Sequence, residues 1–190
     1  IIAKFSLESL LDKESIKINS VYIGDAQMNL VLEDLKTDEG KIVQYDNLSR
    51  IFRIPKGREH KEPSPEEIFR IRDVMISNMG FTLNNRCTKK IAYYGGINWN
   101  DLDVKDIELT ARGLRFKDGI MYGKAESLSF HEKSGFDCKK ISGKARVGRG
   151  KTIVEDLVIR DPWSDLNLPL YMMSYDDIHS FNDFISEVRI

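Results

Sequence analysis

The chain has 190 residues, 41% of them hydrophobic, which is the size and composition of one folded unit with a core of its own. Lys and Arg number 29 against 30 Asp and Glu, and the resulting net charge of −1 excludes a global field that would draw in nucleic acid or an anionic surface. Cys87 and Cys138 belong to no C-x-x-C pair, which excludes a metal-ligand pattern and a disulfide framework and leaves open a single bridge between them.

No run approaches the roughly 18 consecutive apolar residues of a membrane-spanning helix, and no signal peptide is visible. The chain opens on Ile1-Ile2 and closes on Val188-Arg189-Ile190, in mid-pattern at both ends, so it reads as a segment of a larger protein.

From Ile16 onward a repeat governs the sequence. Ile16-Lys17-Ile18-Asn19-Ser20-Val21-Tyr22-Ile23 alternates apolar and polar positions around a two-residue polar step. The pattern returns at Phe69 to Ile76, at Leu102 to Leu109 and, with Thr152 in the first place, at Thr152 to Ile159. Each copy is followed by a short turn and a second alternating stretch: Met28-Asn29-Leu30, Phe81-Thr82-Leu83, Leu114-Arg115-Phe116 and Leu166-Asn167-Leu168. Between the halves stand Gly24-Asp25, Asn78 with Gly80, Arg112-Gly113 and Asp161-Pro162, residues that supply positive φ or a preset turn dihedral. Each unit therefore reads as a β-hairpin. The polar step at Ser20, Asp73, Asp106 and Asp156 breaks the alternation, which predicts a β-bulge or sharp bend, with a plain loop as the alternative.

Two further alternating stretches, Lys124 to Phe130 and Ile141 to Val147, predict strands between the third and fourth units. The fold class is mainly β: roughly ten strands in one continuous antiparallel curved sheet, a groove built from repeated hairpins. Residues 1–190 form a single β-repeat segment. Ser64-Pro65-Glu66-Glu67 has the form of a helix start, which makes 64–79 an alternative helix, but the repeat accounts for every apolar position from Phe69 and strand is expected there. Residues 55–65, rich in charge and proline, read as an exposed loop. Ile178, Phe181, Phe184 and Ile185 follow helical spacing and predict a short C-terminal helix over 176–188.

Chemical motifs are few. Ala145-Arg146-Val147-Gly148-Arg149-Gly150-Lys151-Thr152 satisfies a relaxed phosphate-loop pattern, but such a loop must open a helix and the residues that follow are β-branched. A hairpin turn is the expected reading. His60, His131 and His179 stand far apart without metal-ligand spacing, and His131-Glu132 with Ser134-Gly135 reads as a polar hairpin tip. Ser164 lacks the glycines of a nucleophile elbow, and Asn47 is a formal glycosylation acceptor. The sequence thus predicts no catalytic residues, no metal, no cofactor, no nucleic-acid partner and no enzyme activity.

Three features together carry a resemblance. They are the recurring strand, turn and Phe-x-Leu unit, the segment Ser127-Leu128-Ser129-Phe130-His131-Glu132-Lys133-Ser134-Gly135-Phe136, and Leu157-Val158-Ile159-Arg160-Asp161-Pro162-Trp163-Ser164-Asp165-Leu166. From about Ile16 to Tyr175 the chain resembles the repeat region of the AsmA-like, translocation and assembly module (TamB) proteins of Gram-negative bacteria, in the form found in Bacteroidetes. The resemblance implies a periplasmic protein fixed in the inner membrane by an N-terminal helix, which this chain lacks. It also implies an apolar groove that conducts phospholipids toward the outer membrane, or a role in outer-membrane protein assembly and secretion, with an outer-membrane assembly protein as partner.

Alternating strands in an open sheet would present an apolar face to acyl chains. The groove candidates are Val21, Ile23, Met28 and Leu30 of the first unit, Val74, Ile76, Phe81 and Leu83 of the second, Ile107, Leu109, Leu114 and Phe116 of the third, and Leu157, Ile159, Leu166 and Leu168 of the fourth. An ordinary packed core is the competing reading of each. Two other functional classes stand beside it: a scaffold that recruits a protein partner by strand addition to an open edge, and a hydrolase, which would need acids, His or Ser gathered in a cleft.

Overall fold

The computed structural model describes residues 1–5, 16–37, 40–47, 67–148 and 150–174. Within them ten strands form one curved, unclosed sheet: β1 (Ile2–Phe5), β2 (Ile16–Gly24), β3 (Gln27–Lys36), β4 (Ile42–Asp46), β5 (Glu67–Asn85), β6 (Asp101–Lys117), β7 (Ile120–Glu132), β8 (Asp137–Gly148), β9 (Lys151–Arg160) and β10 (Asp165–Ser174). The spatial order is β1-β2-β5-β6-β7-β8-β9-β10, with β3 also on β5 and β4 on β3. The mainly β, open and curved architecture expected from the repeat is present, and residues 67–79 are strand. The stretches 124–130 and 141–147 lie in β7 and β8. The loop at 55–65 and the helix over 176–188 lie outside the described residues.

Two expectations are corrected. The sheet is mixed, not antiparallel throughout: from β5 to β10 it is an antiparallel meander, but β2 and β3 both run parallel to β5. The other correction concerns the repeat unit, which is a hairpin only in its fourth copy, where β9 and β10 pair around Asp161–Ser164. In the second and third copies both halves lie on one strand, β5 or β6, and in the first they lie end to end as β2 and β3. The reason is local. Asp25, Asn78 and Gly113 each place a single residue at positive φ (50°, 52° and 63°), which kinks a strand without reversing it. Only the longer fourth connection turns back: the Asp161 carboxylate accepts from the N–H groups of Trp163 and Ser164, both at 2.7 Å, while Asp161 N–H donates to Ser164 O. Those bonds, the Trp163 N–H first, hold the Asp161 carboxyl below its ordinary range.

The predicted breaks at the polar step take two forms. Asp106 and Asp156 adopt φ of 52° and 53°, and the register slips beside each, as a bulge requires. Among β2, β5 and β6 the register holds at Ser20 and Asp73, because Ser20 faces Asp73 and Asp73 faces Arg112: three neighbouring strands skip together, and the slips fall against β1 and β7 on either side. β5 and β6, at 19 and 17 residues, far exceed the usual three to ten. Across the first crease, Asn78 donates to the Asp25 carboxylate at 2.6 Å, and Glu108 accepts from Asn78 N–H at 2.8 Å.

Among the described residues the fully enclosed part is small. Leu83 and Cys138 are wholly buried, and Leu32, Val74, Cys87, Leu102 and Ala111 nearly so. Leu83 sits opposite Leu102, and the segment 86–100 is tied to itself by Asn85 and Asn100: Asn100 bonds both N–H and C=O of Ile91. Cys87 and Cys138 are free, separate thiols, so the bridge left open is not formed. At the β7–β8 turn the buried Glu132 accepts from Ser134 N–H at 2.7 Å and Asp103 N–H at 3.4 Å. Burial alone would raise its pKa, but those bonds prevail and hold it below the ordinary value.

Truncating Leu83 to Ala should cost about 2–5 kcal/mol in urea denaturation, whereas the exposed Leu170→Ala should change stability by less than about 0.5 kcal/mol; equal effects would show that the core is misplaced. Because the folded-state pKa of Glu132 is depressed, its contribution is complete above the unfolded-state value of 4.5 and is lost as pH falls through the folded value. Glu132→Gln should therefore be less stable than the parent by about 1 kcal/mol at pH 7, with the gap narrowing in denaturation curves as the pH is taken progressively below 4.5.

Candidate functional site

Residues directly opposite across strands project to the same face, so the register decides which side chains share a surface. One rung runs across seven strands and is apolar at every step: Ile23, Ile76, Leu109, Leu128, Ile141, Ile159 and Leu166. Flanking rungs bring Met28, Phe81 and Val104 into line, then Leu30, Leu83 and Leu102. On the other side Val21, Val74, Ala111, Ala125 and Gly143 follow one another, and Phe69 stacks on Phe116 with ring centroids 6.2 Å apart. Leu114 faces Ile71, Ile107 faces Met79, and Leu157 faces Leu168. The sixteen groove candidates thus fall on these apolar rungs. They differ in what covers them: Val74 and Leu83 are buried as ordinary core, Leu166 is 44% exposed, and the rest are half-buried.

A trough of about 350 Å³ lies on this face over β6 to β9. Its floor is made by small residues, Ala111, Gly123, Ala125, Gly143 and Ala145; its walls are larger ones, among them Leu109, Leu114, Met121, Ile141, Val147, Val154 and Leu157. Two glycines are there for space. A Cβ on Gly123 would stand 2.9 Å from Leu114 Cδ2, and one on Gly143 would stand 2.9 Å from Val154 Cγ1 and 3.2 Å from Glu155 O. Apart from Tyr122, Lys124 and Ser142, every residue bordering the trough is apolar or glycine.

Only Leu109, Leu114 and Leu157 of the sequence-derived candidates line this trough. The reading in terms of large apolar residues missed its floor. The available signal was the occurrence of Ala and Gly at positions where the alternation calls for an apolar side chain, at 123, 125, 143 and 145.

The other motifs do not converge. Gly148 and Gly150 flank the β8–β9 connection, and strand, not helix, follows at Lys151. His131 stands opposite Asp137 at the hairpin tip, Nδ1 to Oδ1 3.4 Å. His60 and His179 lie outside the described residues. Asn47 uses its side chain structurally, accepting from Val31 N–H at 2.8 Å and donating to Asn29 O at 2.9 Å. Burial raises the pKa of both thiols, Cys87 and Cys138. Among the described residues no group of three or more His, Cys, Asp or Glu is placed to hold a metal ion, and no helix is long and apolar enough to cross a membrane. No family model, curated protein or solved structure matches the chain.

Proposed function

We propose that the chain is a periplasmic segment of a cell-envelope protein that holds phospholipid acyl chains in its apolar trough. In this reading it passes lipid between inner and outer membranes, as the AsmA-like proteins it resembles are thought to do, with an inner-membrane anchor outside this chain. The observation that carries the reading is the apolar rung across seven strands beside a trough floored by Ala and Gly. From β6 to β9 the trough crosses three inter-strand spacings of ~4.8 Å, or roughly 14 Å, a length suited to an extended chain rather than a compact ligand. Each methylene withdrawn from water there contributes about 0.8 kcal/mol, so affinity would come from length and need no polar ligand.

A second reading, strand addition by a protein partner such as an outer-membrane assembly protein, is favoured by β10. It is the last strand in the sheet order, bears no charged side chain after Asp165 and exposes Leu170 and Met172. Pro169 in its middle lacks an N–H, which confines new pairing to short stretches on either side.

Native mass spectrometry of the purified chain, followed by lipid extraction, should find bound phospholipid. Ala125→Phe, which fills the trough floor, should cut the bound fraction several-fold with the circular dichroism spectrum unchanged. A lipid-free parent chain, or undiminished loading of the Phe variant, would count against the trough.

A further inference from the structure

The face turned away from the trough carries a second hollow, of about 500 Å³, over β5 to β9. Arg70, Arg112, Arg115, Lys124, Lys144 and Arg146 line it, with a single carboxylate, Glu155, among the lining residues. The register sets like charges directly opposite one another three times: Arg70 faces Arg115, Arg112 faces Lys124, and Lys124 faces Lys144. Such pairs destabilise a sheet, and a chain with 30 carboxylates against 29 Lys and Arg has acids enough to avoid them.

The nearby acids relieve only part of this. Arg112 lies 3.8 Å from Asp73 and 4.0 Å from Glu126, Lys124 2.8 Å from Glu126, Lys144 3.5 Å from Asp156, and Arg146 3.2 Å from Glu155. Six cations against these four carboxylates leave the hollow at +2. Among the described residues neither Arg70 nor Arg115 has a carboxylate partner; Arg115 instead sits over the Tyr122 ring, 4.5 Å from its centroid. Both guanidiniums are exposed on adjacent strands, so their planar donor forks are available together.

We infer that this hollow binds a discrete, multiply charged phosphate-bearing anion, held by the Arg70 and Arg115 forks in the field of Arg112, Lys124, Lys144 and Arg146. A concave site admits a compact soluble anion; a bilayer presents a plane. The sheet itself separates this hollow from the trough, so the inference stands or falls apart from lipid binding.

The test is calorimetric titration of the whole chain with inorganic pyrophosphate at low ionic strength. Saturable one-to-one binding is expected, weakening steeply with added salt. Arg70→Gln with Arg115→Gln should lose at least tenfold in affinity while Tm holds or rises, because a like-charge pair is removed. Arg115→Lys, which keeps the charge and loses the fork, should fall between. Lys89→Gln with Lys90→Gln, in the segment 86–100, should bind as the parent does. Absence of saturable binding, or equal loss in the Lys89 and Lys90 variant, would overturn the inference. Binding to phosphatidylglycerol vesicles without binding to pyrophosphate would overturn it too, assigning the face to a bilayer.

Discussion

The constraint on which the whole structure depends is that a single-layer sheet must keep its apolar residues on one face along strands too long to stay straight. A one-residue slip in a strand sends every side chain beyond it to the opposite face. In β2, β5 and β6 the apolar positions therefore step by three, not two, at one shared line: Ile18 to Val21, Ile71 to Val74, and Ala111 to Leu114. Because the three strands make the step together, their pairing with one another is undisturbed. Farther across, the same three-residue step occurs from Ala125 to Leu128 in β7 and from Val154 to Leu157 in β9, now with slips of register against β8.

The residues chosen at these kinks follow from backbone sterics. Every non-glycine residue at positive φ among those described is Asp or Asn: Asp25, Asn78, Asp106, Asp118 and Asp156. Their short polar side chains tolerate the left-handed region and can bond locally, where β-branched residues would be strained. Asn78 and Asp25 do so with each other, and Glu108 ties the next strand to the same point. The polar residues that interrupt each repeat are thus what allows the apolar residues around them to stay on one side.

Much of this was legible in the sequence, and its failures have a common cause. Alternation at period two located the strands between Ile16 and Leu168 apart from β4, which falls outside the repeat, and the polar step located the breaks, because both are local consequences of side-chain direction. What the repeat could not distinguish was a kink from a reversal. Asn78-Met79-Gly80 and Arg112-Gly113 have the composition of turns, yet whether the chain doubles back is decided by what pairs with the flanking residues, and β5 finds β2, β3 and β6. Parallel pairing of β2 and β3 with β5 is likewise a long-range outcome. The trough was hidden for a different reason. A depression is defined by the side chains that are small, and Ala111, Ala125 and Gly143 carry weak hydrophobic signals taken singly; only the register shows that they adjoin.

The two faces of the sheet then pose opposite physical problems. One presents apolar rungs whose members remain half-exposed among the described residues, and contiguous apolar surface of more than a few hundred Å² is uncommon on a soluble monomer without a function. The other sets like charges directly opposite one another. Both are arrangements that a sheet selected only for its own stability would lack: a larger residue at Ala125 would reduce the trough, and a glutamate in place of Arg70 or Arg115 would turn repulsion into an ion pair. None of the three is fixed by packing, since Ala125 opens onto the trough and both arginines are exposed. A free surface position that retains an unfavourable choice is where binding, rather than folding, is the more economical explanation of the sequence.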